Sequence, residues 1–228
     1  FEMDYPNILK ILTLSGLKEI AAERELGPLV IAGGPPATYN PEVLAPFIDA
    51  FVIGEAEEVL PELVDGLKEP HESRLSLLES LARIRGVYIP RFYEPEYKED
   101  GTIKAIRVSH GAPEKVRRRW MLALDPSGPA LDPYVAVSAI LTPETEFSNM
   151  ILAEVARGCG RQCRFCIAGY AFLPPRPRQP EAVMAGIRRM EGKAAERGLG
   201  HPRVGLLSAS VFDHPSSMLI CQELVERD

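Results

Sequence analysis

The stretch that decides the fold is ILAEVARGCGRQCRFC, residues 151–166, in which an apolar run leads directly into a loop with three cysteines. Cys159, Cys163 and Cys166 have a C-x3-C-x2-C spacing, and the glycines at 158 and 160 let the backbone curl so that the thiolates can converge. Iron–sulfur clusters are held by cysteine thiolates, usually about four for a cubane. Three protein ligands would leave one iron open, and an open metal position indicates chemistry rather than electron storage.

The four cysteines of the chain allow other interpretations. Disulfides are disfavoured, because three clustered cysteines and a distant Cys221 make a poor framework. An all-thiolate zinc site that includes Cys221 is the alternative, although zinc sites favour two C-x2-C halves and this chain has one. Cys221 falls with Met218 and Val225 on an apolar helical stripe, so we expect it in a core rather than on a metal.

The cysteine loop resembles the signature loop of the radical S-adenosylmethionine (radical SAM) enzymes, with Phe165 in the aromatic slot. Residues 156–170 and 174–178 resemble the corresponding sequence of one radical SAM subfamily. Members of this subfamily, largely uncharacterised in function, carry a cobalamin-binding-like domain ahead of the radical SAM barrel. The resemblance implies a [4Fe–4S] cluster whose open iron binds S-adenosylmethionine and, when reduced, cleaves it to a 5′-deoxyadenosyl radical. That radical would abstract hydrogen from an unknown substrate, and a flavodoxin or ferredoxin would supply the electron.

Positive charge is concentrated around the loop. Between residues 155 and 180 there are five arginines and no acid, whereas the whole chain carries a net charge of −6. Local cations lower the cost of assembling thiolates and a carboxylate ligand in one place. A solvated arginine face is the plainer interpretation of the same run.

Composition and length set broad limits. At 228 residues and 46% hydrophobic, the chain can form one large or two modest domains. It contains no run of about 18 apolar residues, so no membrane span is predicted, and its start lacks a secretory signal pattern. Free cysteines and an oxygen-sensitive cluster predict a reducing cytoplasm. Because the chain begins with Phe1 rather than methionine, we expect it to be part of a longer protein.

The first 70 residues alternate strands and helices. Short apolar strands are predicted at residues 28–32 and 50–53, and each leads into a glycine turn. A helix begins at Pro41, with Asn40 as its cap, and another covers residues 57–67. Strand, glycine turn and helix, twice over, are typical of a doubly wound sheet that binds ligands at the carboxyl ends of its strands.

Gly33, Gly34, Gly54 and Glu55 follow these strands and are similar to the second half of cobalamin-binding domains. The resemblance implies that these four residues line a cobalamin site. The Asp-x-His-x-x-Gly motif that supplies the family's cobalt ligand does not occur in this sequence and would lie before Phe1, so the resemblance leaves cobalamin binding open. The alternative is a scaffold that kept the fold and lost the cofactor.

Residues 71–150 are predicted to form a connector. It contains a helix over 73–85, a strand over 87–89 and a hairpin with a two-residue turn at Asp100-Gly101. A basic run with one aromatic residue, 115–120, suggests nucleic-acid binding, but one short run in an acidic chain is usually a solvated face. We therefore do not expect a nucleic-acid partner.

From residue 151 the pattern is that of a βα barrel. A strand at 151–156 precedes the cysteine loop, a helix begins at Pro180, and a second strand covers 204–207. Ser208, Ala209 and Ser210 stand where radical SAM enzymes commonly carry Gly-Gly-Glu, so the resemblance implies that these residues and the backbone at Phe165 contact S-adenosylmethionine. Asp213 is predicted to cap the last helix.

The predicted fold is α/β: a partial, cobalamin-binding-like doubly wound sheet (residues 1–70), a connector with a hairpin (71–150) and the first βα units of a partial radical SAM barrel (151–228). The predicted function is that of a radical SAM enzyme, of which this chain is an incomplete part. The alternative is a non-catalytic cysteine-rich module that holds zinc or an electron-transfer centre. A third hypothesis, RNA binding through the run at Trp120, predicts a salt-dependent interaction.

Overall fold

The computed structural model describes residues 2–25, 27–122 and 137–226. It divides into two compact units, with the division between Met121 and Leu122. The predicted boundaries at residues 70 and 150 stay predictions, and residues 123–136 of the expected connector lie outside the described part. The α/β class is confirmed, because helices and short sheets alternate along both units. No helix in the described part is long and apolar enough to cross a membrane.

The first unit contains a three-stranded sheet in the order β1-β2-β3. Its elements are α1 (Tyr5–Leu14), β1 (Ile31–Ala32), α2 (Pro35–Tyr39), β2 (Ala50–Val52), α3 (Ala56–Lys68), α4 (Arg74–Ala82) and β3 (Val87–Tyr88). Strands β1 and β2 are parallel, as predicted, and Ile31 lies opposite Ala50. Strand β3 is antiparallel to β2, with Tyr88 opposite Phe51. Part of the expected connector thus completes the first sheet.

Strand β2 is buried on both faces because its side chains alternate between two cores. Ala50 and Val52 pack with residues of α3 and α4, such as Val59 and Leu81. Phe51 points the other way, into a cluster with Tyr88 and residues that follow β1. Helices or turns therefore cover both faces, as expected for an α/β sheet.

Two local predictions in the first unit need correction. The segment after Asn40 is a short 3₁₀ turn, Pro41–Leu44, and the Asn40 side chain makes no capping hydrogen bond. The hairpin of β4 (Tyr93–Tyr97) and β5 (Ile103–Val108) closes through residues 98–102 rather than through a two-residue turn. Asp100 stabilises this longer loop by accepting hydrogen bonds from the Thr102 amide and hydroxyl.

The second unit is formed around parallel strands β6 and β9. Its elements are β6 (Ile151–Glu154), β7 (Ala156–Arg157), α5 (Ala168–Ala171), β8 (Arg176–Pro177), α6 (Pro180–Glu196), β9 (Val204–Leu207) and α7 (Ser217–Val225). Ile151 lies opposite Val204 in the parallel pair, and β7 is antiparallel to β8. The predicted first strand, the helix from Pro180 and the strand at 204–207 are confirmed. The barrel itself stays a prediction.

The core of the second unit lies between β6 and α6. Ile151, Ala153 and Val155 face the apolar side of α6, including Met184 and Ile187, and all five are almost fully buried. This packing fixes the end of β6, and with it the start of the cysteine loop, on a rigid support.

The start of α7 differs from the prediction. The helix begins at Ser217, and Asp213 lies before it in a 3₁₀ turn, so Asp213 does not cap the helix. Met218 and Val225 are exposed, at 72% and 74%, and it is Ile220 that enters the core. The stripe predicted to bury Cys221 thus faces solvent in part, and the Cys221 thiol itself is half-buried.

Candidate metal centre and adjoining pocket

The cysteine loop begins where β7 ends, and its first turn requires glycine. Gly158 has a φ of +89°, and a Cβ there would lie 2.3 Å from the backbone carbonyl oxygen of Phe172. Gln162 adopts a left-handed backbone, and the Cys166 amide donates to the Cys163 carbonyl at 3.0 Å. The loop is therefore curled, as its glycines and short spacing predicted.

Cys159, Cys163 and Cys166 are free thiols, and each is half-buried. Within the described residues, no group of three or more Cys, His, Asp or Glu side chains is arranged to hold a metal ion. The structure thus carries the three thiols on one curled loop without directing them at a common point. Their chemistry fits an iron–sulfur cluster, because thiolates are the ligands such clusters use and none of these sulfurs is in a disulfide.

Three arginines around the loop form ion pairs with acids, and two of these pairs join segments that are distant in sequence. Arg161, inside the cysteine loop, forms a two-point ion pair with Asp213, with its Nε 2.8 Å from Oδ2. Arg157 and Arg178 share Glu154, at 2.9 and 3.0 Å. The positive charge predicted around the loop is thus partly neutralised, which the sequence run alone could not indicate.

The Arg161–Asp213 pair alters the ionisation of both partners. The Arg161 guanidinium lowers the pKa of Asp213 to about 2, mainly through its hydrogen bond. Asp213 in turn raises the pKa of Arg161 above its ordinary value, and the nearby thiols of Cys159 and Cys163 add smaller contributions. Both groups are therefore charged at neutral pH, next to the predicted cluster ligands.

A pocket of about 210 Å³ lies beside the loop. Its polar lining combines the start of the loop, strand β8 and the segment after β9: Cys159, Arg176, Ser208, Ser210, Asp213 and His214. Two of the predicted S-adenosylmethionine contacts, Ser208 and Ser210, thus face the same space as a predicted cluster ligand. Ala209 is not part of the lining, and Phe165 is 93% exposed and lies outside it.

His214 is a residue of the site that no sequence motif indicated. Its side chain is 5% exposed, and Nδ1 accepts a hydrogen bond from the Ser216 amide at 2.9 Å. Nε2 must then carry the proton that it donates to the Arg178 carbonyl oxygen, also at 2.9 Å. His214 therefore ties this wall of the pocket to the segment after β8. In the sequence, only its position shortly after the predicted strand at residues 204–207 could have indicated a role in the site.

The residues predicted to line a cobalamin site have other surroundings. The Gly54 amide donates to the Thr38 hydroxyl, and a Cβ at Gly54 would lie 2.0 Å from the Arg119 carbonyl oxygen. Glu55 is 6% exposed, and its carboxylate accepts a hydrogen bond from the Met121 amide. Gly54 and Glu55 therefore contact their own chain, and these positions do not fit a corrinoid.

The other two glycines are less enclosed. A Cβ at Gly33 would make ordinary contact with Val52, at 3.6 Å. At Gly34, which has a φ of +89° and precedes α2, a Cβ would meet no atom within 4 Å. These two positions neither support nor oppose a ligand at the end of β1.

The first part of the chain is similar to a known protein family. Residues 1–90 match the family model described as radical SAM proteins, N-terminal. This match confirms the resemblance to radical SAM proteins from a part of the chain that does not contain the cysteine loop.

A relative extends the similarity along the chain. Over 227 residues, 98% of the chain, it is 26% identical to an uncharacterised protein of Methanocaldococcus jannaschii. The chain spans 40% of that relative's length.

Proposed function

We propose that this chain carries the cluster-binding part of a radical SAM enzyme. The observation that carries the proposal is the pocket that joins Cys159 to Ser208 and Ser210. The match of residues 1–90 to radical SAM proteins supports it independently of the cysteine spacing.

The topology explains why these residues meet. Strands β6 and β9 are parallel, so the loops that follow them leave from the same edge of the sheet. In open α/β sheets and βα barrels, ligands bind at the carboxyl ends of strands. The cysteine loop follows β6 and β7, and the serines follow β9, so both lie where this architecture places its chemistry.

In the proposed site Cys159, Cys163 and Cys166 hold a [4Fe–4S] cluster, and the pocket beside them takes S-adenosylmethionine. Arg176 and Asp213 line this pocket with opposite charges, which suits a ligand that carries both a carboxylate and an ammonium group. The cluster, when bound and reduced, would supply the electron that cleaves S-adenosylmethionine to a 5′-deoxyadenosyl radical for hydrogen abstraction from a substrate.

The neighbouring residues would shape the site rather than react. Arg178, 3% exposed and paired with Glu154, supports the base of the loop, and His214 fixes the opposite wall. A protein reductant of the flavodoxin or ferredoxin type would be the electron donor. The reducing cytoplasm is the compartment in which such a centre would persist.

Anaerobic reconstitution of the full-length protein tests the proposal. We expect about four irons and four sulfides per chain, as a [4Fe–4S] cluster requires. Replacing Cys159, Cys163 or Cys166 by Ala should abolish iron binding. Cys221→Ala is the matched control and should retain it, because Cys221 lies on α7 rather than in the loop.

A second measurement separates catalysis from metal storage. The reconstituted protein, with dithionite and S-adenosylmethionine, should form 5′-deoxyadenosine, measured by chromatography. Stoichiometric zinc with little iron, or a metal site lost in Cys221→Ala, would favour the cysteine-rich module instead. An intact cluster without 5′-deoxyadenosine would refute the radical mechanism.

A further inference from the structure

Residues 118–121, here called the strap, lie across the carboxyl end of β2. The Arg119 amide donates to the Ile53 carbonyl at 2.9 Å, and the Glu55 amide donates to the Arg119 carbonyl at 2.9 Å. Gly54 and Arg119 form a parallel bridge between these two bonds. The strap thus continues the sheet past the end of β2 in the place where a doubly wound domain takes its ligand.

The strap leaves no room for a ligand against Gly54. The Arg119 carbonyl oxygen would lie 2.0 Å from a Cβ at this position, and the Arg119 amide nitrogen 2.8 Å. Gly86 has a positive φ as well, and a Cβ there would lie 3.1 Å from the Arg119 Cβ. A glycine at a strand end allows either a ligand or another backbone segment to approach closely. At Gly54 it is the backbone of the strap that does so.

Side chains hold the strap on both sides. The Arg119 guanidinium contacts Glu58 at 3.1 Å and Glu62 at 2.6 Å, both on α3. On the other side the buried Glu55 carboxylate accepts a hydrogen bond from the Met121 amide at 2.9 Å. These contacts involve two successive turns of α3 and the residue just before it.

Two backbone donors that an anionic group could use at this edge, the Gly54 and Glu55 amides, already have partners. The Gly54 amide is bonded to the Thr38 hydroxyl at 3.0 Å, and the Glu55 amide to the strap. The first turn of α3 carries Glu57 and Glu58, whose charges oppose an anion at a helix N-terminus. Space, hydrogen-bond donors and charge all argue against a phosphate-bearing ligand here.

We propose that the strap takes the place of a ligand, so that the first unit is closed by its own chain and binds no corrinoid at the end of β2. This inference is independent of the proposed radical chemistry, since it uses contacts within the first unit alone.

Hydrogen exchange of the full-length protein, with and without hydroxocobalamin, tests the proposal. The amides of Glu55, Arg119 and Met121 should exchange as slowly as those of the sheet, and adding hydroxocobalamin should not change their rates. Desalting should leave no corrinoid absorbance with the protein. Rapid exchange of these amides without ligand would overturn the proposal. So would retained corrinoid accompanied by loss of their protection, because the ligand would then have displaced the strap.

A pair of variants tests the anchoring of the strap while leaving Gly54 unchanged. Arg119→Ala removes both contacts to α3 and should speed exchange of the Glu55 amide about tenfold, since partly exposed ion pairs stabilise only modestly. Arg117→Ala changes an exposed residue of the same basic run and should leave the rate unchanged. Equal rates in the two variants would show that Arg119 does not hold the strap.

Discussion

Replacing Gly54 by Ala should destabilise the first unit more than its backbone angle alone would explain. Gly54 has a φ of +112°, and a conformation of this kind costs an L-residue about 1–3 kcal/mol. The new methyl group would also lie 2.0 Å from the Arg119 carbonyl oxygen, so the strap backbone must move. Overpacking of this kind costs about 1–3 kcal/mol. Together the two costs amount to about 4 kcal/mol.

Gly34→Ala is the matched control, because Gly34 also has a positive φ, +89°, but open space around its Cβ position. It should show the backbone cost alone, about 1–3 kcal/mol. Trp120 lies in the strap and is the one tryptophan in the 228-residue sequence, so its fluorescence reports this region. In urea titrations followed at Trp120, Gly54→Ala should lose about 2 kcal/mol more than Gly34→Ala. Equal losses would refute the close contact between Gly54 and the strap.

Three further predictions concern the second unit. Gly158→Ala should abolish iron binding after anaerobic reconstitution, because the new Cβ would lie 2.3 Å from a backbone carbonyl oxygen. Gly160→Ala is the control and should retain iron, because its Cβ would lie 3.4 Å from a proline side chain. The Asp213 carboxyl should titrate by NMR with a pKa of about 2, and Arg161→Gln should move this value towards 3.8. Because the pKa of Asp213 is lowered in the folded protein, its stabilising contribution is present above about pH 3.8 and is lost as the pH falls towards 2. If the pKa of Asp213 stayed near 2 in Arg161→Gln, the pairing with Arg161 would be contradicted. His214→Ala should lower the free energy of unfolding by about 2 kcal/mol, measured in urea, because a buried carbonyl and an amide lose their partners, and an unchanged midpoint would contradict this.

The elements that sequence analysis located correctly are those specified by local patterns. The apolar run at residue 151 forms β6, and the spaced apolar residues after Pro180 form α6, whose Met184 and Ile187 enter the core. A proline in the first turn marks the start of α6, because its missing amide would have had no partner there. Such signals act within one or two turns of chain, so they can be read without knowing the fold.

Pairings between distant segments could not be read in this way. Strand β3 contributes two residues to the first sheet, and its short sequence carries no mark of its antiparallel partner, β2. The burial predicted for Cys221 failed for a related reason. The helix has apolar residues on several faces, and the side that packs is decided by where β6 and α6 lie.

The sequence by itself determined the donor set and the curl of the cysteine loop, because spacing and glycine conformation are properties of adjacent residues. It also determined that glycines follow the strands of the first unit. Only the tertiary structure decided what meets those residues: Asp213 against Arg161, and the Arg119 carbonyl against Gly54. A glycine at a strand end permits close approach of either a ligand or a backbone. Which of the two approaches depends on the path of a segment that lies far along the chain.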